Sequence, residues 1–106
     1  MMKVGDKIKP LEVGERSFDP KELFNSIRNL QTVWCWGGQA WTAHKDKFLR
    51  FKSNGHLHKG HVYIILGWDD TFKVILTTVK GKILSIDENI YVDMLIDVID
   101  KRIETK

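Results

Sequence analysis

GHVYIILGWDDTFKVILTTVKGKILSI, residues 60–86, is the stretch whose reading decides the fold. From His61 to Trp68, Val62, Ile64, Leu66 and Trp68 alternate with Tyr63 and Ile65, so both faces of the segment are apolar, as in a central strand. Asp69-Asp70-Thr71 then makes a tight turn into a strand from Phe72 to Val79, and Lys80-Gly81 makes a second turn into a strand from Ile83 to Ile86. Loops this short can join only antiparallel neighbours, which predicts a three-stranded meander.

Upstream, KFLRFK from Lys47 to Lys52 is a strand with Leu49 and Phe51 facing one way and Phe48, Arg50 and Lys52 the other, and Ser53-Asn54-Gly55 is a turn. Val33-Trp34-Cys35-Trp36 is rich in strand formers. Gly37-Gly38 kinks it before Gln39-Ala40-Trp41-Thr42, giving a bulged or broken strand and a sheet of four or five strands.

Helices flank the sheet. Asp19 can cap a helix that has Pro20 at its first position, Glu22 in a capping box and Phe18 stapled to Leu23. Leu23, Phe24, Ile27 and Leu30 form its apolar stripe, and it ends near Gln31. A second helix, with Asp87 as its cap, carries Val92, Leu95, Ile96, Ile99 and Ile103 on one stripe and Asp93, Asp97, Asp100 and Glu104 on the other. Lys101, Arg102 and Lys106 complement its dipole. The expected class is α+β: an N-terminal helix, an antiparallel meander and a C-terminal helix, with both helices on one face of the sheet. Residues 1–17, broken by Gly5, Pro10 and Gly14, read as an irregular arm with one short strand at Lys7 to Lys9, and residues 18–106 as a single domain.

With 106 residues the chain can bury one core. The expected address is the cytoplasm, because the start lacks an apolar signal region, no apolar run spans a bilayer, and one cysteine makes no internal disulfide. The net charge of +3 is unevenly spread: residues 1–60 carry 11 Lys and Arg against 6 Asp and Glu, and residues 61–106 carry 6 against 8. Charge asymmetry of this kind bears on partners.

The positive charge is densest between Val33 and His61, which also holds three of the four tryptophans, Cys35 and all four histidines. Trp34 and Trp36 share one face of a strand, with Cys35 opposite. They read either as core or as a stacking platform. The basic strand and loop that follow suit a polyanion: Lys45, Lys47, Phe48, Arg50, Lys52, His56, His58 and Lys59 are the candidate nucleic-acid contacts, with Phe48, Arg50 and Lys52 alternating on an exposed face. The segment thus divides into an apolar anchor, Val33 to Trp41, and a basic flap, Lys45 to His61.

His56, His58 and His61 resemble a three-histidine zinc pattern, but they fall in a loop with no carboxylate close by in sequence, so the expectation is no metal. Gln31, Cys35-Trp36, Gly60-His61-Val62-Tyr63-Ile64 and Asp69 or Asp70 resemble papain-type cysteine peptidases at those few positions, which implies Cys35 as nucleophile and His61 as base. That family's nucleophile opens a long helix and its histidine lies much further along; here Gly37-Gly38 follow Cys35 and 25 residues intervene. No phosphate-binding glycine loop and no G-x-S-x-G occurs.

The reading is a non-enzymatic binding module without cofactor or membrane contact, acting on single-stranded nucleic acid or RNA. The alternative is a protein-interaction or homo-oligomerising domain, since Trp and Arg anchor interfaces and sheet edges pair.

Overall fold

Five strands pair in chain order in one antiparallel sheet: β1 (Gln39–His44), β2 (Phe48–Asn54), β3 (Lys59–Leu66), β4 (Phe72–Thr77) and β5 (Ile83–Ile90). A 3-10 turn, Val92–Met94, leads into the C-terminal helix α1 (Leu95–Ile103). The computed structural model describes residues 3–8, 18–19, 21–23, 39–44, 48–54, 58–67 and 71–103. Most of the expected N-terminal helix, the segment Val33–Gly38 and the turn Asp69–Asp70 fall outside these.

The register follows the alternation of apolar residues. Leu49 pairs with Ile64 and Ile64 with Val74; Phe51 pairs with Val62 and Val62 with Leu76. All six side chains are buried on one face. Leu95, Ile99 and Ile103 of α1 close over them, together with Ile90 and Leu23. At roughly 1.5–3 kcal/mol for each large apolar side chain removed from water, this face holds most of the hydrophobic stabilisation. One residue along, the other face buries Phe48, Tyr63, Ile65, Ile75 and Ile83 in a second, smaller cluster with Ile8 from the N-terminal arm.

Where the N-terminal helix is expected to start, Asp19 makes the contacts of a cap. Asp19 Oδ1 accepts from the backbone N–H groups of Lys21 (3.0 Å) and Glu22 (3.2 Å), which satisfies two of the orphan donors of a first turn. Leu23 joins the α1-side core, and Phe18 packs edge-on against Phe72 with ring centroids 6.0 Å apart.

The arm is more ordered near its start than expected. Lys7 bridges antiparallel to Lys82, Gly5 N–H donates to Ile83 O, Ile83 N–H to Asp6 O and Ile8 N–H to Gly81 O, each at 2.8 Å. The arm therefore covers the outer edge of β5 at Ile83, and Ile8 is driven into the second cluster. Gly81 permits the turn, since its φ of 97° is a conformation that side chains disfavour.

Two expectations near the C terminus are corrected. The last strand does not stop at Ile86 but runs to Ile90, carried across a bulge: Phe72 faces Ile90 whereas Val74 faces Asp87, leaving one extra residue on β5. Asn89 sits there with φ 58°, a left-handed conformation that Asn tolerates better than most residues. Asp87 consequently lies within the strand and does not cap the helix. It instead receives both arms of Arg102, Nε at 3.0 Å and Nη2 at 2.8 Å, and ties α1 to β5. A second bulge between Leu76 and Thr77 leaves Leu84 exposed.

Candidate functional site

The face of the sheet away from α1 carries the charge. Alternation along β2 sends Phe48, Arg50 and Lys52 to that face, as the sequence predicts, and the antiparallel register sets Tyr63 opposite Arg50 and His61 opposite Lys52. Continuing one pair further, Lys59 lies opposite Asn54 on the same face as His61 and is exposed. Four groups that can bear positive charge, Arg50, Lys52, Lys59 and His61, are thereby collected on two adjacent strands. Among the described residues none of the four has a carboxylate within ion-pair distance; the acidic partners are taken elsewhere, Glu88 by Lys73 and Asp87 by Arg102.

Tyr63 is the pivot of this arrangement. Arg50 lies over its ring with Cζ 5.8 Å from the centroid, Phe48 meets it edge-on at 5.3 Å, and His61 meets it at 6.5 Å. The ring orients Arg50 by cation–π attraction. It is itself buried, at 2% exposure, and Phe48 at 3%. Phe48 was expected on an exposed stacking face; the side chain is on the expected side of the strand but is absorbed by the second cluster, because Ile8, Ile65 and Ile75 give it apolar company there. A base cannot stack on it.

His58 also departs from the expected exposed contact. Its ring is buried at 5% exposure, with Nε2 3.3 Å from the His61 carbonyl oxygen, while Ser53 Oγ donates to the His58 carbonyl at 3.0 Å. Burial lowers its pKa from the usual histidine value, partly countered by that backbone contact. His61 is lowered too, first by burial and then by the positive charges of Arg50, Lys52 and His58. Gly60 between them allows the strands to close: a Cβ there would collide with the Thr77 carbonyl oxygen of β4.

Lys45, Lys47 and His56, also expected as contacts, lie outside the described residues, as do Trp34, Trp36 and Cys35. The pairing of Cys35 with His61 thus falls outside them as well. Among the described residues no three His, Cys, Asp or Glu are arranged to hold a metal ion, and no helix is long and apolar enough to cross a membrane. His61, at the end of the basic flap, is not among the contacts expected from the sequence. The signal for it is its register opposite Lys52, which depends on where the connection between Asn54 and Lys59 begins and ends and is not encoded in the alternation of either strand. The chain matches no protein-family model, no curated protein and no solved structure.

Proposed function

We propose that this protein is a small non-enzymatic module that binds single-stranded nucleic acid or RNA through its phosphates, on the sheet face that carries Arg50, Lys52, Lys59 and His61. The observation that supports the reading is that these groups stand together on β2 and β3 without a carboxylate partner among the described residues. Cations so placed attract a polyanion and release its counterions on contact. Because Phe48 and Tyr63 are buried, the reading rests on phosphate neutralisation rather than on base stacking at this face. In the same reading the helix expected from Pro20 to Gln31 lies beside α1 and leaves the charged face open, which the place of Leu23 in the α1-side core supports. A cytoplasmic address is part of the proposal.

Anisotropy of a labelled oligothymidylate and an oligouridylate against rising salt tests it. Neutralising three or four phosphates gives a log–log slope of roughly −2 to −3 for a single strand. The double variant Arg50→Met, Lys52→Met should weaken binding and flatten the slope by about one to one and a half. Absence of binding at low salt, or binding that ignores salt, sinks the proposal.

A second reading, a homo-oligomerising or protein-interaction domain, is favoured by two observations: among the described strands β1 lies at an edge, and Leu84, Tyr91 and Met94 are exposed apolar side chains. Light scattering over a concentration series separates the two, since a tight dimer without affinity for oligonucleotide selects the second.

A further inference from the structure

We propose that binding of a polyanion on this face is coupled to uptake of one proton at His61, so that the complex tightens as pH falls. The inference rests on the nucleic-acid reading above and adds its regulation. His61 is positioned by the sheet itself: Lys52 is its direct partner on β2, Arg50 lies one rank further along that strand, and Lys59 precedes it by two residues on its own strand and face. From β4 the facing residue is Thr77, which is uncharged, and the lysine on that strand, Lys73, is four residues away and paired with Glu88. Among the described residues the Tyr63 ring and His58, whose Nε2 contacts the His61 main chain, are further neighbours. The imidazole thus sits among cations with no carboxylate facing it among the described residues.

In the free protein burial and that field both oppose a further positive charge: the pKa of His61 is lowered first by burial and then by Arg50, Lys52 and His58. Phosphates brought against Arg50, Lys52 and Lys59 offset the repulsion and add attraction, so protonation becomes easier in the complex. By linkage, a group whose pKa rises on binding takes up a proton, and affinity increases as pH decreases between the free and bound values. Each unit of rise corresponds to about a tenfold gain in affinity below the free value. His58 is shielded by burial and is not expected to contribute.

The test is anisotropy with labelled oligothymidylate, whose bases do not titrate in this range, at fixed ionic strength from about pH 5 to pH 8. The wild type should bind about tenfold more tightly at the acidic end. His61→Gln should lose the pH dependence and weaken binding most at the acidic end, while His58→Gln should keep the dependence. Should either variant fail to fold, the His61 resonance of the wild type, titrated by NMR with and without oligothymidylate, must show a higher pKa in the complex. Affinity that is salt-dependent but flat with pH, full pH dependence in His61→Gln, or an unmoved His61 titration overturns the coupling and leaves the nucleic-acid reading standing. Absence of binding at every pH overturns both.

Discussion

On the face beneath α1, Leu49, Phe51, Val62, Ile64, Val74 and Leu76 occupy successive ranks of β2, β3 and β4 and all are buried. On the opposite face the residues that alternate with them divide. Phe48, Tyr63, Ile65 and Ile75 form a small apolar cluster, whereas Arg50, Lys52 and His61 keep charge at the sheet surface beside it. The difference is one of available cover. A helix with a three-residue apolar stripe seals the first face, but Ile8 of the arm is the described contribution from outside the sheet to the second cluster. Arg50 and His61 stay partly exposed and Lys52 exposed beside that cluster, and the Tyr63 ring within it orients Arg50. Among the described residues the first face accordingly holds the larger buried cluster, and the second a smaller one beside exposed charge.

The largest effect should come from the first face. Phe51→Ala removes a fully buried ring under α1 and should cost about 3–5 kcal/mol in urea unfolding, whereas a loss below about 1.5 kcal/mol would contradict the inequality of the two faces. Phe48→Ala on the second face should cost less, about 2–3 kcal/mol, because the smaller cluster can collapse into the space; an equal cost would make the faces energetic equivalents. Gly60→Ala sharpens the comparison at the point where the two histidines meet. The added Cβ meets the Thr77 carbonyl, and the strain should cost roughly 1–3 kcal/mol by the same measurement.

Smaller effects concern charge. Asp87→Asn breaks the bidentate contact that fastens α1 to β5, but Arg102 is half exposed and solvent screening holds the loss to about 0.5–1 kcal/mol. The pH dependence follows from His58 and His61. Both have lower pKa values when folded than the usual 6.5, so near and below that value the unfolded chain binds more protons than the folded one. Their contribution is complete above about pH 6.5 and is lost as pH falls through the folded-state values. The thermal midpoint should therefore drop on acidification, and His58→Gln should flatten that drop; a midpoint indifferent to pH in this range contradicts it.

Much of this was legible in local patterns. Alternation put Phe48–Lys52 and Val62–Leu66 on the faces the structure gives them, whereas Ser53, Asn54, Lys59 and Gly60, which read as turn and loop, extend β2 and β3; the Asp19 cap is where its sequence signal puts it. Asp87 misled, because an acidic residue ahead of an apolar helical stripe is also what a strand end beside a partner arginine looks like. The site was legible in part. Charge and alternation single out Arg50, Lys52 and Lys59, which the structure collects on one face, but Phe48 and His58, expected to be exposed, are buried, since burial at a half-polar strand depends on neighbours remote in sequence, here Ile8 and Ile75 for Phe48.

What the sequence determined by itself is the antiparallel meander that follows His61 and the two faces of the β2 and β3 segments, because a period of two and short turns leave one antiparallel solution there. What the tertiary structure decided is which face is sealed, how the bulges at Leu84 and Asn89 extend β5, and that His61 stands opposite Lys52. Those depend on register and on the docking of α1 and the arm, contacts between residues far apart in the chain that local periodicity does not encode.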